Sequence, residues 1–348
     1  MAAVISAYAV TMLIASPAGR LFTRVTDGAG YLRILALVGI ATVLITRSYL
    51  GLTGYPQVGN GNLHIAHVLW GGALMLAGLL SALLFAGSAA RTCTAVLGGA
   101  GLGLFIDEVG KFVTRQNDYF YRPAAAIIYF VFAALLVFAS RLRRQPTRDD
   151  HQRLATAAQI ASAGVVSGLT ARQRRVAEQL LDGQNGEAAQ AVHRLVDTAP
   201  HRGGSEWAQG PLDHAAALVR RLFDRRACTL VVLWLFVVSQ VVVAIVFLVQ
   251  AVALATGHTL SPGTQDGAII GGAITRSVAA ACVVAGLLRW RQNWRAAYGW
   301  FRTATLIDLL VSQIFNFSDS QFAAVANLPF SLLVLAIVTY HLRRPIES

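Results

Sequence analysis

The residues TAVLGGAGLGLFIDEVGKFV, positions 94–113, set the terms for the whole chain. They are apolar and number about 20, enough at 1.5 Å per helical residue to cross a hydrocarbon core of roughly 30 Å. Yet they carry Asp107, Glu108 and Lys111. An ionisable group in hydrocarbon costs from about 2.5 to well over 10 kcal/mol, so each one there needs a partner or a purpose. Lys111 stands four residues after Asp107 and three after Glu108, which on a helix brings its ammonium to the side of both carboxylates. It is the only lysine in the chain; every other strongly basic residue is arginine. A buried lysine can give up its proton, whereas an arginine effectively cannot. Gly98, Gly99, Gly101 and Gly103 leave room for a neighbouring helix to approach closely.

Apolar windows of the same kind recur on both sides. They run at Leu32–Leu50, Ile65–Ala86, Thr94–Val113, Ala124–Leu142, Cys228–Leu254, Ala268–Leu288, Ala296–Phe317 and Phe322–His341, which predicts about eight transmembrane helices and an all-α membrane bundle. The 348-residue chain is 55% hydrophobic and 13% charged, and its mean hydropathy is +0.56. That charge content, about half the usual, excludes an ordinary water-soluble globule and a disordered chain. The net charge of +12 does not make a nucleic-acid binder, because no soluble fold with a basic face interleaved with aromatics is present to carry one.

The arginines orient the spans. With both termini cytoplasmic, the inner segments hold Arg20, Arg24, Arg91, all arginines from Arg141 to Arg226, then Arg289, Arg291, Arg295, Arg343 and Arg344, while the outer loops hold only Arg115 and Arg122. Every loop then obeys the positive-inside rule, and the expected location is the cell membrane. Half of all charged side chains fall between Arg141 and Arg226. This block separates a first membrane half, residues 1–142, from a second, residues 227–348, and residues 143–226 form a cytoplasmic insert. The apolar N-terminal stretch up to Pro17 reads as an interfacial or packed helix, with a cleaved signal as the alternative.

Within the insert, Thr170 to Gln173 has capping-box form, and Gly183 and Pro200 stop helices. Val176, Leu180, Leu181, Val192, Leu195 and Val196, then Leu212, Val219, Leu222 and Phe223, keep helical spacing, so three or four short amphipathic helices are expected. Residues 150–220 are therefore the candidate surface for a cytoplasmic protein partner, beside the lipid bilayer itself. A helical linker is the simpler alternative. Cys93, Cys228 and Cys282 lack metal-site or disulfide spacing and read as small buried hydrophobes.

The two halves also match each other at an offset of about 200 residues. Gly71-Gly72-Ala73 returns as Gly271-Gly272-Ala273, Arg91 as Arg291, Ile106-Asp107 as Ile307-Asp308, Asp118 as Asp319, and Leu142-Arg143-Arg144 as Leu342-Arg343-Arg344. A duplicated four-helix unit follows, with both copies entering from the cytoplasm as a parallel repeat.

His64 and His67 open the second span at the outer depth of Asp107. Two imidazoles with Asp107 and Glu108 are the donor set for zinc or a similar divalent metal with one position left for water. The same four residues with Lys111 equally suit a proton relay or an ion site. The signal for metal is weaker than an HExxH pair would give. In the second half Asp308 and Arg276 are expected to pair near the membrane midplane. P-loop, GxSxG, Rossmann and haem-attachment motifs do not occur.

Gly101 to Pro123, preceded by His64 to Ala73, resembles a pattern in uncharacterised multi-pass bacterial membrane proteins. The resemblance covers about a third of the membrane part. It implies membrane localisation and a shared site, and nothing about chemistry. An ion- or proton-coupled transporter is the leading expectation. A membrane-embedded metal-dependent enzyme and a non-catalytic scaffold with a cytoplasmic docking module are the alternatives.

Overall fold

The computed structural model describes residues 25, 27–53, 67–113, 122–144, 150–202, 226–256 and 266–343, and their elements are all helices, apart from one isolated β-bridge between Leu169 and His201. Seven helical segments are long and apolar enough to cross a membrane: Gly28–Leu50, His67–Leu84, Ser88–Asp107, Pro123–Leu142, Thr229–Ala255, Ile269–Arg289 and Ala324–Leu342. Their surfaces support that reading. Leu83, Leu84 and Trp70 on one helix, and Trp234, Leu235 and Val249 on another, are well exposed, as side chains facing hydrocarbon would be.

The chain divides into two compact units, Met1–Val109 with Val131–Glu206, and Gly110–Phe130 with Trp207–Ser348. In the first unit, helices α1 (Gly28–Thr53) and α2 (His67–Leu84) both pack on α3 (Ser88–Asp107). The glycines of α3 make this possible. A Cβ on Gly99 would lie 2.5 Å from the carbonyl oxygen of Leu35, one on Gly103 2.7 Å from that of Gly39, and one on Gly101 2.6 Å from that of Gly71. Gly99 and Gly103 thus face α1, and Gly101 faces α2, so α3 is held backbone to backbone between two neighbours. Residue numbers rise together along α1 and α3, which run parallel; α2 runs antiparallel to α3.

Helix α3 ends at Asp107, Glu108 takes a non-helical ψ of 8°, and a short α4 (Val109–Val113) resumes. The span expected at Thr94–Val113 therefore starts earlier and is broken at its acidic pair. α5 (Arg122–Arg144) follows and is shared between the two units. Its Phe132 ring fills the place of a side chain at Gly39.

The described part of the insert is a bundle of α6 (Asp150–Ser167), α7 (Ala171–Leu181) and α8 (Glu187–Thr198) around Ile160, Leu169, Leu181 and Val196. The expected capping box is present: the Thr170 hydroxyl accepts from the Gln173 N–H, and the Gln173 side chain accepts from the Thr170 N–H. Gly183 follows α7 in the left-handed region at φ 75°. Arg174 donates to the carbonyls of Val196 and Ala199, closing the end of α8. The helix expected over Leu212–Phe223 and the N-terminal stretch before Pro17 lie outside the described residues.

In the second unit α9 (Arg226–Ala255) packs on α10 (Asp266–Arg289), and α10 packs on α11 (Trp294–Ile307). Phe236, Val283, Phe301 and Val334 form the core. The span expected at Ala296–Phe317 is also not a single α-helix. α11 passes into a π-helical turn, Asp308–Ser312, then α12 (Gln313–Ser320) and a 3-10 segment, Gln321–Asn327, before α13 (Leu328–Arg343). The π turn divides one apolar run into two short α-helices, and hydrophobic periodicity does not register such an insertion. Of the three cysteines, Cys282 is buried as expected, while Cys93 is exposed; both are free.

Candidate functional site

Among the described residues, buried ionisable groups gather at two breaks in α geometry. The first is the end of α3. Asp107 is fully buried, and its Oδ1 accepts from Arg47 Nε at 2.6 Å while its backbone oxygen accepts from Arg47 Nη2 at 3.0 Å. The parallel register of α1 and α3, set by Gly99 and Gly103, carries Arg47 to this level. Two donors on one guanidinium fix the acid and its carbonyl together.

Glu108 is 1% exposed and belongs to a different contact. Its Oε1 accepts the backbone N–H of His67 at 2.7 Å and faces His67 Nδ1 at 3.2 Å. The N–H of the first residue of a helix has no partner within that helix, and an anion beside a helix N-terminus is favoured by its dipole. Glu108 thus serves as the acceptor that α2 lacks, and the kink after Asp107 is what frees it to do so.

The sequence expectation placed His64, His67, Asp107, Glu108 and Lys111 together. The structure brings His67 to Glu108 and gives Asp107 to Arg47. His64 lies outside the described residues, and so does the side chain of Lys111. Among the described residues no three His, Cys, Asp or Glu side chains converge as metal ligands, and Asp107 does not join His67 and Glu108 in such a group. Arg47 was missed, although an arginine inside the first apolar window is itself a signal that an acid must meet it.

The second place is the π turn. Asp308 is 3% exposed, and its Oδ2 accepts from Ser331 Oγ of α13 at 2.8 Å. The Tyr129 hydroxyl donates to the carbonyl of Leu309, and its ring stacks on Phe317 with centroids 4.7 Å apart. The expected pairing of Asp308 with Arg276 is not formed as a hydrogen-bonded ion pair. The Arg276 guanidinium lies instead over the Phe247 ring, 4.4 Å from its centroid, and its buried Nε–H has no acceptor among the described residues. The Asp308 carboxylate acts on it only through space. Two residues explain the difference: Ser331 occupies the carboxylate, and Phe247 fills the space opened by Gly272 one turn before Arg276. Tyr129, Phe247 and Ser331 carried no signal in sequence, being ordinary residues of apolar windows.

A groove of about 590 Å³ opens at the other end of α3, along Ser88, Thr92 and Val96, and holds none of these groups. No protein-family model, no curated protein and no solved structure matches this chain.

Proposed function

We propose that this multi-pass membrane protein is a proton- or ion-coupled transporter in the cell membrane whose coupling group is the His67–Glu108 pair. One observation carries the reading: the His67 side chain is 35% exposed while the carboxylate it touches is 1% exposed. A half-exposed imidazole bonded to a buried acid is a route by which a proton enters the protein. Arg47 and Asp107 fix the helix end beside it, since their charges are already matched.

The chain crosses eight times in this reading, with the segment from Trp294 to Ser320 as the span that the π turn interrupts. Both termini are cytoplasmic, on the distribution of arginines. The two halves are parallel repeats: α1 and α9, α2 and α10, and α3 and α11 start about 200 residues apart, and the third helix of each loses α geometry at an aspartate, Asp107 or Asp308. The copies have diverged in packing, for α3 is central in the first and α10 in the second.

The test is charge movement on a solid-supported membrane carrying proteoliposomes, triggered by a step to lower pH on one face. Wild-type protein gives a transient current from proton entry, and Glu108→Gln abolishes it. Equal currents from wild-type, Glu108→Gln and protein-free liposomes overturn the reading.

A further inference from the structure

Serine and threonine hydroxyls in these helices habitually bond the carbonyl four residues back: Thr42 to Val38, Thr303 to Gly299, Thr305 to Phe301 and Ser318 to Ile314. Ser312 does not. The carbonyl four residues before it belongs to Asp308, and in the π turn that oxygen accepts the N–H of Gln313. The Ser312 hydroxyl is fully buried and has no partner among the described residues.

A second donor without an acceptor stands at the same level. α10 and the helix through the π turn are antiparallel, since Gly286 meets Phe301 and Gly271 meets Phe315. Between those two contacts Arg276 falls opposite the π turn. The residue is 7% exposed, and its Nε–H has no acceptor among the described residues. Leaving a buried donor unpaired costs about 1–3 kcal/mol, more when the group is charged. Two such donors at one level of the same helix pair, one of them a permanent cation, call for a hydrogen-bond acceptor that carries negative charge.

We propose that the Arg276–Ser312 site binds a small monovalent anion, a halide or a carboxylate, and takes up one proton with it. Arg276 Nε–H and Ser312 Oγ–H donate to the anion. The proton follows from charge balance. Arg276 and the Asp308 carboxylate together are neutral, and an added anion would leave one net negative charge in a low-dielectric interior. Protonating Asp308 restores neutrality: the carboxylate becomes a carboxylic acid, and no other bond changes. Among the described residues, the groups facing Asp308 are Arg276 from α10, Ser331 from α13 and Tyr129 from α5, and of these only the always-charged Arg276 is a cation. The site lies in the second unit and does not require the His67–Glu108 route, so it stands or falls separately from the transport reading.

Binding is measured on the whole purified protein in detergent, where no transport occurs, by calorimetric titration with sodium chloride and with sodium acetate in sulfate-balanced buffer. A pH indicator in weakly buffered solution counts protons taken up. Saturable binding of chloride identifies a halide site and saturable binding of acetate a carboxylate site. Ser312→Ala weakens that binding by about tenfold, the loss of one hydrogen bond to a charged group. Arg276→Gln removes it. Asp308→Asn binds the anion without proton uptake and without pH dependence. The proposal is overturned by absence of binding for both anions, by unchanged affinity in Ser312→Ala, or by proton uptake that persists in Asp308→Asn. Should Arg276→Gln fail to fold, the Ser312→Ala affinity and the Asp308→Asn proton count decide the matter alone.

Discussion

Glu108 reaches the start of α2 by accepting the backbone N–H of His67 at 2.7 Å, so the residue whose backbone ends α3 begins its neighbour with its carboxylate. The contact separates into two parts. Gln in place of Glu108 retains an acceptor for the N–H but has no charge to share with the imidazole. Ala retains neither. Glu108→Ala is therefore expected to lose about 1–3 kcal/mol of stability for the unpaired N–H, and Glu108→Gln less than about 1 kcal/mol. Unfolding of the two variants in detergent checks this; equal losses would place the stabilising interaction in the charge and not in the hydrogen bond.

Arg47 and Asp107 form the other contact at this helix end. Breaking a buried pair by removing one partner costs about 3–5 kcal/mol, because the remaining charge is left uncompensated. Removing both is expected to cost far less than the sum. Arg47→Met and Asp107→Asn should each destabilise strongly, and the double variant should recover part of the loss. A double-mutant cycle on unfolding free energies reads the coupling directly; additive effects would mean that the pair is screened in the membrane.

Much of this architecture is legible in sequence because hydrocarbon imposes a length. Seven windows of apolar residues reappear as helices for that reason. The window at Ala296–Phe317 does not return as one α-helix: a π turn at Asp308–Ser312 changes the hydrogen-bond register without changing composition. The insert's capping box was readable because Thr170 and Gln173 act locally. Partners two helices away were not. Asp107 meets Arg47 because Gly99 and Gly103 lock α1 and α3 in one parallel register, and no periodicity in either helix encodes that alignment. Arg276 misses Asp308 because Phe247 and Ser331 come from other helices. Burial of the acids was predictable from their place in apolar windows, whereas their partners depended on helix packing.

Two adjacent glycines give a sharp test of that packing. A Cβ on Gly71 would stand 2.8 Å from the carbonyl oxygen of Gly101, whereas one on Gly72 meets nothing within 4 Å. Gly71→Ala must push α2 away from α3, at a cost of about 1–3 kcal/mol, the usual range for overpacking. Gly72→Ala gains helix propensity and no clash, so it is expected to stabilise by up to about 1 kcal/mol. Melting temperatures of the two single variants should move in opposite directions. A loss of equal size at both positions would mean that α2 and α3 do not sit in this register.

The π turn has a prop of its own. The Tyr129 hydroxyl donates to the Leu309 carbonyl inside the turn, while its ring stays stacked on Phe317. Tyr129→Phe deletes only the hydroxyl and leaves the stack, so its effect isolates that hydrogen bond. The expected loss is about 0.5–1.5 kcal/mol. The change should also be local: the Gln313 N–H, bonded to the Asp308 carbonyl across the turn, should exchange with solvent deuterium faster than in wild-type protein, while amides of α9 should not change. Exchange at Gln313 that is unaltered in Tyr129→Phe would show that the turn is held by α10 and α13 alone, and that Tyr129 only packs beside it.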